Sequence, residues 1–490
     1  MTHDQPPADS NCTESTTVES ITEELPIDAN QSEQGSTKDR EQSQTEVDDT
    51  KHPIPAAINR ALHKYRDIEA VARILVPVSA TIQKDMWDTA HEALKSAQAK
   101  IDDEAGQGQI DEVVAAELDE AFVALDRLGE ANLPDTLLTS LFLGLFSAFD
   151  AFTGNLLVAI YKKKPELLEA LNVEIPLTEL LQHESFDELK DAVLLDEIEK
   201  FRRKSYIEQF DQLERRFGLK LKKFDHWSQF VELGQRRNLI THCEGIVSKQ
   251  YLKVCRENGV VIKDNIEEGH RLEVHPRYLF AACSIVYEVS LKLGQTLWRK
   301  IFPEEHDAAN EHLTEPIYEA LRIERWDRAI LLSEFAASVQ SEIRDLDRRI
   351  RVINLCIALR FSEQEQKCKD MLASEDWSAA ALDFRLAVEV LHERFEEASN
   401  LMRQIGKNGE LINQKAYHVW PLFRDFRRSE HFTAAYEEVF DTTYGSGVAA
   451  EASKAEEKEP EAPTNEESKS EDLDHERFRP SLSVIKRIIG

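Results

Sequence analysis

The 490-residue sequence predicts an all-α protein: a helical bundle with one small β-hairpin insertion, then an irregular region of helical repeats, between two disordered acidic tails. Three observations lead to this fold class. Apolar residues recur with helical spacing through almost all of the chain between the tails. Residues 137–161 form the most apolar stretch and have the length of one helix. The tails lack the apolar surface that would offset the entropy lost on ordering.

The expected organisation has five parts. The tails, residues 1–52 and 445–490, are expected to be disordered, and the second tail ends in a basic and apolar peptide, residues 477–489. That peptide is a docking segment, a membrane-surface segment or a frayed end. Between the tails we expect an N-terminal helical region, a central helical domain and a repeat-like domain, at residues 53–132, 133–303 and 314–444.

The net charge of -32 is unevenly distributed. Residues 1–50 hold 13 acidic and 2 basic residues, and residues 446–476 hold 11 acidic and 3 basic residues. An acidic chain repels nucleic acid as a whole, but the local charge decides what one surface binds. We expect the acidic tails to compete with any polyanionic ligand for a basic surface on the folded part.

The cysteines and the N-terminus predict a cytoplasmic protein. The six cysteines form no Cys-x-x-Cys pair, and the first residues have neither a basic start nor an apolar run. No group of His, Cys, Asp or Glu has metal-ligand spacing near the candidate site described below. Neither a metal nor another cofactor is therefore expected.

The helices are predicted in order along the chain. Residues 54–100 predict two amphipathic helices broken near Pro77, and a third follows over about 109–129. Asn132 then caps a new helix. Further on, residues 187–243 predict two helices split near Gly218, residues 250–275 a small hairpin, and residues 277–302 a long amphipathic helix.

The apolar helix over residues 137–161 raises the question of a membrane span. Asp150 divides it into uncharged runs of 13 and 11 residues. Because a carboxylate in mid-membrane costs roughly 3 kcal/mol, a buried helix and no membrane span are expected. Asp150 borders a stripe of small residues and either meets a partner there or is solvated at the helix edge; the stripe is Ser140, Gly144, Ser147, Ala151 and Gly154.

A weak repeat follows Pro316, in which an aromatic residue precedes Ala by three positions at the start of a helix. The gaps between repeats are 51, 18 and 37 residues. The region resembles degenerate tetratricopeptide-like helical hairpins, and an irregular helical bundle is the alternative. The four pairs are Trp326 and Ala329, Trp377 and Ala380, Phe395 and Ala398, and Phe432 and Ala435.

Arg237, Asn238 and His242 are the candidate catalytic set. Asn238 and His242 share a helix face, and Gly245 predicts the helix end, where the helix dipole favours imidazolium. Arg binds phosphate through a planar pair of donors, and His moves protons to or from a ribose hydroxyl. The set suits metal-independent phosphodiester cleavage, although about one such Arg–His pair is expected by chance in a chain of this composition.

The segment from Phe230 to Leu252 resembles the HEPN superfamily (higher eukaryotes and prokaryotes nucleotide-binding). The signature of that superfamily is Arg, a polar residue that is often Asn, three further residues and His. The resemblance extends to the doubled Arg236-Arg237 and to the upstream helix with Asp150, which is similar to an early HEPN helix that often carries an acidic residue. It covers about residues 134–302 and leaves the rest of the chain unexplained.

The resemblance implies a helical bundle that forms a homodimer through the motif helices. It also implies an endoribonuclease in which Arg and His from two protomers form one cleft and leave a 2′,3′-cyclic phosphate, acting as a toxin or defence effector. Arg237 and His242 would be catalytic, Asn238 supporting and Asp150 orienting.

Residues 201–237 hold ten basic against five acidic residues, which predicts a surface for the RNA backbone. The aromatic residues between them either stack on unpaired bases or face the core. Besides Arg237, the predicted RNA-binding residues are Arg202, Arg203, Lys204, Arg215, Arg216, Lys220, Lys222, Lys223 and Arg236.

Two other functions stay open. A HEPN dimer without activity would serve as an RNA-binding or protein-interaction scaffold, and a helical solenoid with a chance motif would bind only proteins. In the nuclease hypothesis, the region 314–444 is expected to bind a regulatory protein partner.

Overall fold

The computed structural model describes residues 52–105, 112–171, 173–262, 266–339 and 343–445. In these ranges the protein consists of α-helices, short 3-10 helices and loops, and no strand forms. The predicted all-α fold class is confirmed. The disorder expected of the acidic tails and the role of the C-terminal peptide concern residues outside the described ranges.

The first nine helices precede residue 302. They are α1 (Pro53–Ala105), α2 (Glu112–Glu130), α3 (Leu133–Lys163), α4 (Leu177–Leu180), α5 (Phe186–Arg202), α6 (Tyr206–Phe217), α7 (Trp227–Cys243), α8 (Lys249–Glu257) and α9 (Pro276–Ile301).

Helix α3 forms the centre of the first hydrophobic core. It begins as predicted, with the Asn132 side chain accepting a hydrogen bond of 3.1 Å from the Asp135 N–H. Its Phe142, Phe146 and Phe149 are fully buried, and each such burial stabilises the fold by roughly 1.5–3 kcal/mol. The segment Glu112–Lys163 contains one window long and apolar enough to cross a membrane, and half of that window is buried inside the protein.

The predicted break near Pro77 is wrong, because α1 is continuous through it. Pro77 lies on the exposed side of the helix, where it removes one backbone hydrogen bond and its ring crowds the carbonyl one turn earlier. The first half of α1, with Ile58 and Tyr65, is buried in the same core as α3 and α9. This packing outweighs the roughly 3 kcal/mol that an internal proline costs.

Two further boundaries differ from prediction. Residues 187–243 form three helices instead of two, because Ser205 and Glu208 make a capping box that starts α6. The expected hairpin of residues 250–275 is also wrong: α8 occupies its first part, and only an isolated antiparallel bridge joins Ile246 to Arg271. The Ser248 side chain caps α8, whose buried residues Tyr251, Leu252 and Cys255 follow helical spacing.

The remaining helices contribute most of a second core, and six of them form three paired hairpins. They are α10 (His306–Arg322), α11 (Trp326–Ser338), α12 (Asp345–Phe361), α13 (Glu365–Ala373), α14 (Leu382–Leu391), α15 (Phe395–Ile405), α16 (Gln414–Val419) and α17 (Glu430–Phe440).

Three of these hairpins share one turn. The pairs α10–α11, α12–α13 and α14–α15 each turn at a left-handed Glu, with φ of 57°, 63° and 60° at Glu324, Glu363 and Glu393. Five residues after each Glu, a small side chain is buried where the two helices cross: Ala329, Cys368 and Ala398.

The predicted aromatic–Ala pairs are mostly confirmed as helix starts. Trp326 opens α11, Phe395 opens α15, and Phe432 lies in the first turn of α17. Trp377 and Ala380 instead lie in the loop between α13 and α14, so this member of the predicted repeat is wrong. In the second hairpin, α12–α13, the equivalent residues are Glu365 and Cys368, so a search for aromatic–Ala pairs does not detect it.

A buried carboxylate links α1 to the first of these hairpin turns. Glu69 is 7% exposed and forms ion pairs with Arg325, with Arg328 at 3.2 Å and with Arg73 at 3.2 Å. The Arg328 side chain is itself 8% exposed. The link therefore depends on one acidic residue that neutralises a buried guanidinium.

Glu69→Gln should lower the free energy of unfolding by about 3 kcal/mol, because Arg328 is then buried without a carboxylate. Urea unfolding followed by circular dichroism measures the change. Glu92→Gln removes an exposed carboxylate from the same helix and should change the value by less than about 0.5 kcal/mol. Equal losses in the two variants would contradict the role assigned to Glu69.

Candidate functional site

Helices α3, α5, α6 and α7 enclose a cleft of about 350 Å³. The four residues predicted to be catalytic, Asp150, Arg237, Asn238 and His242, all line it. Ninety-two sequence positions separate Asp150 from His242, so only the packing of α7 against α3 brings them together. Three predicted RNA-binding residues also line the cleft: Arg202, Arg203 and Lys204.

Asp150 is held between two partners from different helices. The Tyr206 hydroxyl donates a hydrogen bond of 3.0 Å to Asp150 Oδ1, and Arg237 Nη2 lies 3.6 Å from Oδ2. The side chain of Asp150 is 18% exposed and that of Arg237 is 30% exposed. Of the two sequence interpretations, the structure favours a carboxylate with partners over a solvated one.

Tyr206 was not predicted as a site residue. Its ring lies against the backbone of α7 at Gly234, where an added Cβ would be 2.7 Å from the ring. Phe146, Phe149 and Phe230 surround the ring at centroid distances of 5.4–5.7 Å. The capping box at the start of α6 fixes its backbone. A helix-interior Gly four residues before Asn238 was the sequence signal for this close approach.

Arg237 is oriented by its neighbours and stays open to the cleft. Its Nη1 donates a hydrogen bond of 3.1 Å to Asn238 Oδ1, and its backbone carbonyl accepts one of 2.8 Å from the Thr241 hydroxyl. Asn238 thus uses its oxygen to position the guanidinium. The guanidinium keeps further donors for an anion.

His242 lies in the last turn of α7, as predicted. It is exposed, and within the described residues its imidazole has no hydrogen-bond partner. The helix ends through left-handed Glu244 and Gly245, with φ of 49° and 80°. A Cβ at position 245 would lie 2.7 Å from the Leu272 carbonyl oxygen, so this terminator requires glycine.

Burial and neighbouring charges shift the pKa of Asp150 in opposite directions. Burial raises its pKa above the ordinary value, while the Tyr206 hydrogen bond and the charges of Arg237 and Arg202 oppose that rise. Burial also raises the pKa of Tyr206, and the nearby Asp150 charge adds to it. Tyr206 therefore stays a neutral hydrogen-bond donor at physiological pH.

The other predicted RNA-binding residues lie away from the cleft lining. Lys222 forms ion pairs with Asp211 and Glu214, and Arg216 lies over the Tyr161 ring at 5.5 Å. These two belong to a group at the end of α6 and the loop after it: Arg215, Arg216, Lys220, Lys222 and Lys223.

Arg236 occupies a different face of α7 from the cleft. It pairs with Glu232 at 2.8 Å and lies over the Tyr278 ring at 4.0 Å. The aromatic residues of the basic segment mostly face the core, since Phe201, Phe210 and Trp227 are each at least nine-tenths buried. The core interpretation of these aromatic residues is therefore the correct one.

The small-residue stripe on α3 borders this cleft. Ser140, Ser147 and Ala151 are exposed, whereas Gly154 is buried, and a Cβ added to it would lie 3.4 Å from Arg202 Cδ.

Among the described residues, no three His, Cys, Asp or Glu side chains are placed to hold a metal ion.

Comparison of the chain with protein-family models, curated proteins and solved structures finds no match.

The stability of the protein should depend on pH through Asp150. Because its pKa is raised, the folded state binds this proton more tightly than the unfolded state does. Wild type should therefore lose stability relative to Asp150→Asn as pH rises from about 4 through the raised pKa. Urea unfolding of both proteins across this range measures the difference.

Tyr206→Phe removes a hydrogen bond that lowers the pKa of Asp150. This variant should therefore lose stability with rising pH at a higher pH than wild type does. A difference between wild type and Asp150→Asn that does not vary with pH would contradict this assignment.

Proposed function

We propose that the protein is a metal-independent endoribonuclease of HEPN type. The observation that carries the proposal is the convergence of Arg237, Asn238, His242 and Asp150 on one cleft bordered by Arg202, Arg203 and Lys204. A preorganised Arg and a free imidazole at one anionic-ligand cleft suit phosphodiester chemistry.

In the proposed reaction the ribose 2′-oxygen attacks the adjacent phosphorus. The new O2′–P bond replaces the P–O5′ bond, which leaves a 2′,3′-cyclic phosphate and a free 5′-hydroxyl. Arg237 stabilises the charge on the phosphoryl oxygens, and His242 transfers a proton at the 2′- or the 5′-oxygen. Asp150 and Asn238 orient the guanidinium.

One His242 serves only one of the two proton transfers, so a homodimer through the motif helices is part of the proposal. The exposed Ser147 and Ala151 beside Asp150 leave room for close approach of a second copy. A composite cleft would then contain an imidazole from each protomer.

The proposed cellular role is that of a toxin or defence effector in the cytoplasm, with a regulatory protein bound to the region 314–444. A reducing compartment is the expected one for cysteines without disulfides, and within the described residues five are free: Cys243, Cys255, Cys283, Cys356 and Cys368.

RNA cleavage in EDTA tests the nuclease. Wild type should cut RNA to products with 2′,3′-cyclic phosphate ends, and Arg237→Ala or His242→Ala should slow cleavage by about 10²–10⁴-fold. Arg256→Ala and His91→Ala, which remove exposed residues of the same types from other helices, are the controls.

Wild type that binds RNA without cutting it would favour the scaffold function instead. If the Arg237→Ala and His242→Ala variants cut RNA as fast as wild type, this cleft is not the catalytic site. Mass measurement in solution accompanies the assay, because a strict monomer would exclude a composite cleft.

The acidic tails should act as competitors of RNA. Deleting residues 1–50 and 446–476 should raise RNA affinity at low ionic strength, and the gain should fade near 1 M salt, where the Debye length falls to about 3 Å. Binding measured by fluorescence anisotropy follows the change.

The matched variant keeps the length of both tails and replaces their Asp and Glu by Asn and Gln. It should bind RNA as well as the deletion does. Unchanged affinity in both variants would show that the tails do not compete for the basic surface.

A further inference from the structure

The second core contains a small pocket that the proposed nuclease does not use. It has a volume of about 260 Å³ and lies between α10, α12, α14 and the chain around α16. Its walls are mainly apolar, with Ile353, Phe384 and Ile412 buried and Leu411 40% exposed at its edge. A pocket of this size holds one or two side chains of a bound segment.

One buried polar side chain lines this pocket with unused hydrogen-bonding capacity. Asn354 is 2% exposed, and within the described residues its amide makes no hydrogen bond. Half-buried Trp420 also lines the pocket and adds its ring to the apolar wall. A polar group left unsatisfied on burial costs about 1–3 kcal/mol, so a ligand that covers the Asn354 amide has to form a hydrogen bond with it.

Asp383 adds a negative charge to the same pocket. It is 4% exposed, and its Oδ1 accepts hydrogen bonds from the backbone N–H groups of Leu411 at 2.9 Å and Ile412 at 2.7 Å. Within the described residues its Oδ2 accepts none, and the carboxylate pairs with no cation. A buried carboxylate without a cation favours a ligand that supplies one.

The pocket thus selects a segment with three properties. It needs apolar side chains for the walls, an ammonium or guanidinium for Asp383, and a polar group such as a backbone carbonyl for the Asn354 amide. A basic and apolar peptide has all three.

The chain itself contains such a peptide. Residues 477–489 have four basic residues, no acidic residue and six large apolar residues. The described chain ends at Gly445, and Tyr444 stacks on His418 at a centroid distance of 4.9 Å. His418 is two residues from both Ala416 and Trp420, which line the pocket. The chain therefore leaves the folded part beside the pocket.

The intervening residues 446–476 do not limit reach, since 31 residues span up to about 100 Å when extended. A tether of this length also raises the local concentration of the peptide to about the millimolar range. We propose that residues 477–489 bind in this pocket of the same chain, with a basic side chain paired to Asp383.

Hydrogen–deuterium exchange of the full-length chain, read by mass spectrometry, tests the proposal. Amides of residues 477–489 should exchange at least about tenfold more slowly than in a free peptide of the same sequence. Asp383→Asn keeps the acceptor for the Leu411 and Ile412 backbone but removes the charge, and it should restore the free rate. Excess free peptide should also remove the protection.

A second pair of variants leaves the pocket untouched. Lys486→Glu with Arg487→Glu should abolish protection, whereas Lys454→Glu with Lys458→Glu, the same charge change in the connecting segment, should preserve it. Free exchange in wild type, or protection that survives both Asp383→Asn and the Lys486/Arg487 change, would overturn the proposal. So would protection that falls on dilution, which indicates a second copy, or protection seen only with anionic vesicles.

Discussion

A carboxylate within an apolar helix constrains the central part of this protein. Asp150 lies in α3 between fully buried aromatic residues, where an unpaired charge would cost several kcal/mol. Its two partners come from separate helices, Tyr206 at the start of α6 and Arg237 within α7. Satisfying this one group therefore fixes both helices relative to α3, and the cleft is the space left between them.

The interaction between Asp150 and Arg237 orients one residue of the cleft and leaves another without partners among the described residues. Arg237 is restrained by Asp150 and by Asn238, so its donors are oriented before any ligand arrives. His242 is exposed in the last turn of α7, and within the described residues its imidazole has no hydrogen-bond partner. In the proposed nuclease, the oriented guanidinium would stabilise the phosphoryl charge and His242 would carry the proton.

Buried carboxylates recur through the structure, and the way each is paired distinguishes their roles. Glu69 and Asp150 are neutralised by arginines from other helices, which ties those helices together. Asp383 lines a pocket and accepts two backbone hydrogen bonds through one oxygen, with no cation beside it among the described residues. The first arrangement joins two helices, and the second leaves a carboxylate at the wall of a pocket.

The amino-acid sequence by itself determined the all-α class, the Asn132 cap, the end of α7 at Gly245 and the shared helix of Arg237, Asn238 and His242. Each of these depends on local spacing and backbone preference, which a sequence displays directly.

Only the tertiary structure decided the continuity of α1, the helix in place of a hairpin, the partners of Asp150 and the separation of Arg236 from the cleft. Core packing overcame the local proline signal at Pro77. Adjacent arginines on one helix point to different faces, and which face meets a ligand depends on neighbouring helices distant in sequence. Long-range packing free energy sets these outcomes, and no local pattern records it.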